Sequence, residues 1–257
     1  MSPNDPPRTE ATPPLAIGPR IVRAFVDLHC HTSASFDSLA APAGVIRAAT
    51  ARGVTHLAIT DHDRVDGALA ARTLAETEAP GLHVIVGQEI RTTTGDLIAV
   101  FLEEAIAPGL TPAQAVAAVR AQGGLIGLAH PFDRFRGSVG RGAAADLDAL
   151  AASVDWIETW NARLLLGDGN GRAAELAARA GIPGVAVSDA HTTMEVGIAS
   201  TIMTGDPSTP DGLRAALAGS LELVMGRASA YVRLIGPAAK LVQRARGRGR
   251  IRPSLVV

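Results

Sequence analysis

The chain has 257 residues, 47% hydrophobic and only 3% aromatic, with a formal net charge of −1. That length suits one large domain or two small ones, and the near-zero charge argues against a protein that coats nucleic acid by charge alone. A single cysteine excludes an internal disulfide and is consistent with a reducing compartment.

Residues 1–20 are rich in Pro and polar side chains, lack an apolar signal core, and read as a disordered leader. No apolar run reaches the ~18 residues of a membrane span, so a cytoplasmic protein without a membrane partner is expected. The first strand is expected over Val22–Leu28. Pro42 suits the first turn of a helix running to Arg52, with Gly53 as its stop. Strand-length runs follow at Val54–Thr60 and Leu82–Gly87, and Gly95-Asp96 predicts a hairpin over Arg91–Leu102. Thr111-Pro112-Ala113-Gln114 has capping-box spacing and opens a helix that Gly123-Gly124 ends. Leu125–Ala129, Val154–Glu158 and Gly184–Ser188 are further strands, and a helix over Arg172–Ala180 stops at Gly181. Thr209-Pro210 opens one more helix, followed by a strand near Leu221–Met225. Residues 236–257 read as a basic C-terminal tail, disordered where Arg recurs at every second position from Arg244 to Arg252. The main domain is then 21–235. Its repeated βα units imply a parallel sheet, open or closed into a barrel.

Polar, metal-competent residues sit at the C-terminal end of nearly every expected strand. The first strand runs into Asp27-Leu28-His29-Cys30-His31. Residues two apart on a strand point to the same side, so His29 and His31 project together and Cys30 points away. Later strands end in Thr60-Asp61-His62-Asp63, Gln88-Glu89, Ala129-His130-Pro131, Glu158-Thr159-Trp160-Asn161 and Ser188-Asp189-Ala190-His191. In parallel α/β folds these ends converge on one face, where active sites lie. His56 and His83 stand at strand beginnings and are assigned to the opposite face. Asp37, in the Ser-rich loop Thr32–Ser38, is a further carboxylate candidate. Five histidines with several carboxylates exceed one tetrahedral site and suggest two or three divalent ions. Imidazole and carboxylate without thiolate suit zinc, manganese or iron.

The ordered set Asp27-x-His29-x-His31, Thr60-Asp61-His62, Glu89, His130-Pro131 and Asp189-x-His191 resembles the PHP (polymerase and histidinol phosphatase) family, over about Ile21 to Thr204. The resemblance implies an α/β fold, a distorted (β/α)7 TIM-like barrel, with a three-metal cluster at its C-terminal strand ends and hydrolysis of phosphate esters. By position it implies His29, His31, Asp37, Glu89, His130, Asp189 and His191 as metal ligands, with His62 beside them. Glu89 resembles the carboxylate that bridges two metals, and Asp61 an outer group that orients a ligand. Some members carry another histidine where this chain has Glu158 to Asn161. Asn is a poor ligand here, so a third ion would have fewer protein ligands. The Glu158-x-x-Asn161-x-Arg163 pattern resembles the short bacterial phosphoesterases of the family.

Two close cations that bridge a water lower its pKa, so the expected reaction is attack of a metal-bridged hydroxide on phosphorus. Asp61 and His191 are the candidates for moving a proton. Arg134 and Arg163 are the candidates for binding phosphate, whereas Arg64 and Arg136 read as solvated surface charges. The expected substrate is a small phosphorylated metabolite or a nucleotide. The alternatives are an exonuclease trimming short RNA or DNA ends, or a non-catalytic metal-binding regulator on the same scaffold. An amidohydrolase is disfavoured because no expected strand ends in Lys.

Overall fold

Parallel pairing of short apolar runs begins the sheet. Strands β1 (Arg23–Asp27), β2 (His56–Ile59) and β3 (His83–Arg91) lie side by side, connected through helices α1 (Pro42–Ala51) and α2 (Asp66–Glu78). The expected hairpin turns β3 back into β4 (Asp96–Val100), which pairs antiparallel with it from Gly87–Val100 to Arg91–Asp96. Helix α3 (Pro112–Ala121) leads to β5 (Leu125–Leu128), antiparallel to β4. Parallel order then resumes: β6 (Trp156–Asn161) follows α4 (Ala144–Ala151), and β7 (Gly184–Val187) follows α5 (Gly169–Ala180). Strand β8 (Ala199–Thr204) returns antiparallel to β1, and β9 (Glu222–Met225) pairs with β8 after α6 (Pro210–Leu217). Helix α7 (Val232–Ala245) comes last. This computed structural model describes residues 23–134, 136–141 and 144–251. The leader expected over 1–20 and the end of the expected tail, 252–257, lie outside the described residues.

The sheet order is β7-β6-β5-β4-β3-β2-β1-β8-β9. Its two halves meet just beyond the strand ends, where His31 N donates to Ala190 O at 2.8 Å and Asp189 N to His29 O at 2.9 Å. The sheet is therefore a nearly closed barrel, distorted by the reversed β4, as expected. The seam lies beside the two polar clusters of the first and last parallel strands, so closing the barrel also brings those clusters together.

Local signals explain the helix ends. Thr111 Oγ1 accepts from Gln114 N at 3.3 Å while Gln114 Oε1 accepts from Thr111 N at 2.9 Å, which satisfies two otherwise orphan donors. Gly181 closes α5 in the left-handed region at φ 66°, where a Cβ would be penalised. Strand β8 and helix α7 were not anticipated. The run ASTIMT mixes small, polar and apolar residues without a clean period, and most of α7 lies where a basic tail was expected.

Two apolar layers hold the barrel. One cluster fills the inside with residues from eight strands, among them Val26, Ala58, Ile85, Ile98, Leu125, Trp156, Val185 and Met203, and with Leu213 and Leu217 of α6. The other joins the outer sheet face to the helices through Val45, Ile46, Leu57, Ile59, Ala68, Ala71, Val119, Ile157 and Leu176. Each fully buried Leu or Ile side chain contributes ~1.5–3 kcal/mol. Cys30 belongs to this outer layer, turned away from the histidines as its parity predicts. Trp156 lies so close to Gly127 that a Cβ there would overlap the indole ring. Among the described residues no helix is long and apolar enough to cross a membrane.

Candidate metal centre

The strand ends converge as their sequence positions require. His29 Nε2 and His31 Nε2 lie 2.9 Å apart, and each is 3.3 Å from Glu89 Oε2 and 3.6 Å from Asp189 Oδ1. Across the site, His62 Nε2 is 3.3 Å from Asp37 Oδ2, and His191 Nε2 is 3.4 Å from Asp37 Oδ1. His130 Nε2 reaches the other Glu89 oxygen at 3.2 Å. Glu89 thus stands in the middle, facing histidines from three strand ends. All eight residues anticipated as ligands are brought together and buried. Two of them stand in the left-handed region, His130 at φ 25° and Asp189 at φ 51°. Such backbone costs of order 1–3 kcal/mol and clusters at functional sites.

The electrostatics favour positive charge. Burial is the largest influence on His29 and opposes its protonation, yet the Glu158 and Glu89 carboxylates outweigh it and lift His29 to about 10. Glu89 and Asp37 likewise overcome burial at His62 and lift it to about 9. Burial would raise Asp37 and Glu89, but the neighbouring imidazoles hold both carboxyls well below their ordinary values. His31 and His191 are pushed down, first by burial.

The donor set fits divalent cations. Three groups have ligand atoms mutually within 4.8 Å: His31, Asp37, His62 and His191; His29, His31 and Asp189; and His62, Glu89 and Asp96. His31 Nδ1, His62 Nδ1, His130 Nδ1 and Asp189 Oδ1 are buried without hydrogen-bond partners. Each such atom costs ~1–3 kcal/mol when left unsatisfied. Asp96, in the third group, was legible only as a hairpin residue. It is buried through the register of β3 with β4, and nothing local distinguishes it from a solvated turn aspartate.

Residues around the cluster orient it. Glu158 Oε1 lies 2.6 Å from His29 Nδ1, while Glu158 Oε2 accepts from His130 N at 2.8 Å and from Asn161 Nδ2 at 3.0 Å. Asn161 Nδ2 also donates to Asp189 Oδ2 at 2.9 Å. Residues three apart on a regular strand face opposite sides. Here the pairing of β6 with β7 shifts register between Glu158 and Trp160. That bulge returns Asn161 to the face of Glu158.

Asp61 lies just outside the cluster, buried against the start of the loop that carries Asp37. Its two oxygens accept from Thr32 N and Thr32 Oγ1, both at 2.6 Å, and it does not line the cavity above the cluster. It ties down the start of the loop that carries Asp37. Asp27 is similarly structural: Oδ1 accepts from Ser188 N at 3.0 Å and Oδ2 from Gly197 N at 3.2 Å.

Above the cluster opens a cavity of about 720 Å³. Arg163 lines it and pairs with Glu195 at 3.3 Å. Arg134 is exposed and outside the lining. Arg136, expected on the surface, reaches in instead and pairs with Asp189 and Asp133. Alternation does not reach into an irregular loop, so nothing local separated these two arginines.

Residues 27–158 match the model of the PHP domain, and residues 167–219 match the PHP-associated model. The chain belongs to the PHP family. Family members are metal-dependent hydrolases. The PHP chain is 34% identical over 146 residues to the uncharacterized protein MJ1587 of Methanocaldococcus jannaschii, covering 53% of this chain and 81% of that one. Its fold resembles a two-domain Bacteroides vulgatus protein containing a predicted PHP-like metal-dependent phosphoesterase (TM-score 0.67, 18% identity, 80% of this chain and 66% of that one). It also resembles Endonuclease Q, solved with a 27-mer duplex bearing an abasic lesion at the active site (TM-score 0.60, 17% identity, 78% of this chain and 58% of that one). The PHP chain thus spans under two thirds of either structural neighbour, and at these identities the likeness is one of fold.

Proposed function

We propose that this PHP protein is a metal-dependent phosphoesterase acting on a small phosphorylated metabolite or a nucleotide. The observation that carries this reading is the convergence of His29, His31, Glu89 and Asp189 beside Asp37, His62 and His191, with inter-residue distances of 2.9–3.6 Å. In this reading His29, His31, Glu89 and Asp189 hold one divalent cation, and Asp37, His62 and His191 hold a second. His130 and Glu89 offer a sparser third place, because Glu158 and Asn161 are engaged with each other. Zinc, manganese and iron all suit such ligands.

Divalent cations bound there supply Lewis acidity toward phosphoryl oxygens and lower the pKa of water. The protein's own part is orientation. Glu158 fixes the His29 ring, and Asn161 aims the Asp189 carboxylate. His191 Nδ1 faces its own chain at Asp189 O, 2.9 Å away. A proton on Nδ1 leaves Nε2 with a lone pair, so His191 acts as a ligand in preference to a proton carrier. Arg163, held by Glu195, and Arg136 bring guanidinium groups to the cavity wall for a phosphate.

The nuclease alternative draws on the likeness to Endonuclease Q. The cavity volume of about 720 Å³ suits a ligand of nucleotide size and favours the small substrate. Elemental analysis of the purified protein should find two or three equivalents of divalent metal. A phosphate-release screen with added Mn²⁺, over nucleotides, sugar phosphates, amino-alcohol phosphates and short 5′-phosphorylated oligonucleotides, should find turnover of a small ester. Bound metal with no ester cleaved overturns the reading, and cleavage of oligonucleotides alone selects the nuclease.

A further inference from the structure

Helix α7 and the segment after it lie beyond the two family-matched stretches, which end at residue 219. They nevertheless form part of the cavity wall, through Gly236, Pro237, Lys240 and Arg250. Their attachment is specific. The buried Gln243 side chain donates through Nε2 toward Ser33 O at 2.7 Å, Ser35 O at 3.0 Å and Ser38 O at 2.7 Å. Arg248 reaches Ser33 O at 3.2 Å. Arg250 pairs with Asp96 at 3.1 Å and with Asp63 at 3.7 Å. Arg91 donates to Ile251 O at 2.6 Å. The segment therefore clasps the loop that carries Asp37.

Lys240 is the only lysine among 24 basic residues. It precedes Gln243 by three residues, so the two share a helix face. Its Nζ lies 5.4 Å from the centroid of the Phe36 ring, and that ring lies 4.9 Å from the His62 ring. The other cations of the cavity already face carboxylates: Arg136 faces Asp189, Arg163 faces Glu195, and Arg250 faces Asp96. Among the described residues Lys240 has no ion-pair partner, only the aromatic ring. Its charge is the one in the cavity that no carboxylate already compensates, so it adds to Arg136 and Arg163 a full charge for an incoming anion, and an ammonium is a compact phosphate-binding point charge.

We propose that Lys240 receives the substrate's phosphoryl group, and that Gln243 and Arg250 are positioning residues that hold it over the cavity. This rests on the phosphoesterase reading above. The single lysine makes the test clean. In the whole 257-residue chain, loaded with Zn²⁺, ¹³C reductive dimethylation labels only Lys240 and the N-terminal amine. Titration with inorganic phosphate should shift the Lys240 resonance to saturation and leave the amine unmoved. Lys240→Met and Gln243→Ala should each weaken phosphate binding, measured by equilibrium dialysis, about 10-fold. Both should raise KM for the cleaved ester by a similar factor. The change in kcat should be smaller than that in KM, and metal content should equal the parent's. Phosphate that binds without moving the Lys240 signal, and with equal affinity in Lys240→Met, overturns this proposal alone. A loaded parent protein that neither binds phosphate nor releases it from any ester overturns the phosphoesterase reading, and this one with it.

Discussion

The Nδ1 atom of His29 lies 2.6 Å from Oε1 of Glu158, with both side chains buried and 129 residues apart in the chain. This contact fixes the ring so that Nε2 faces His31 and Glu89. Carboxylates in this position raise ligand basicity, and their loss costs ~10–100-fold in metal affinity or activity. Glu158→Gln should therefore bind Mn²⁺ ~10–100-fold more weakly with unchanged circular dichroism. Metal titration of the purified variant checks it, and parent-like affinity would mean that packing alone orients His29.

Asp61 tests a structural role against a chemical one. Its carboxylate accepts two hydrogen bonds from Thr32, and deleting one partner of a buried pair costs ~1–3 kcal/mol. Asp61→Ala should lower Tm by several degrees while the pH dependence of kcat/KM keeps its shape. Disappearance of one limb of that profile would show that Asp61 moves a proton.

The two faces of the barrel should respond differently to alanine. His29→Ala and Asp189→Ala should each reduce kcat/KM by at least ~1000-fold, about 4 kcal/mol of transition-state stabilisation, with the fold intact. His83 stands at the other end of β3, in a cavity with His56, Arg72 and Asp206. His83→Ala should leave kcat/KM within about threefold of the parent. Equal losses at His83 and His29 would contradict the assignment of faces.

A pH effect is expected at that opposite end. His56 Nε2 lies 3.0 Å from Ser208 Oγ and 3.5 Å from Asp206 Oδ1. Burial, then the neighbouring His83, holds its pKa below the ordinary 6.5, against the pull of Asp206. The unfolded chain therefore binds the proton more readily. Stability from neutral His56 is present above pH ~6.5 and is lost as pH falls toward the depressed folded value. His56→Gln should lose less Tm between pH 7.5 and 5.5 than the parent does. Calorimetry at the two pH values decides it, and an equal loss in both proteins would remove His56 as the cause.

Much of the barrel was legible because its signals are local. Pro42, the Thr111–Gln114 capping box and Gly181 each act within one helical turn, and the structure uses all three. The strand-end histidines and carboxylates were legible for a similar reason: residues two apart share a side, and parallel strands point their C-terminal ends one way. Harder to read were Asp96, whose burial follows from the register of β3 with β4, and Arg136, which reaches Asp189 across a loop. Helix α7 escaped notice because Gly236-Pro237 interrupts its pattern and the alternating arginines that follow it resemble a solvated tail. What holds its C-terminal end to the molecule is Gln243, hydrogen-bonded to backbone carbonyls more than 200 residues away.

The sequence by itself determined the family, most of the βα order and the groups offered to a metal apart from Asp96, since these follow from residue type and short-range period. Only the tertiary structure decided how those groups are arranged. The bulge in β6 turned Asn161 to the side of Glu158, Thr32 claimed the carboxylate of Asp61, and the α7 segment carried the single lysine to the cavity. Each depends on which distant backbone atoms come within hydrogen-bonding distance. That is set by sheet register and barrel closure, and residue spacing carries no record of it.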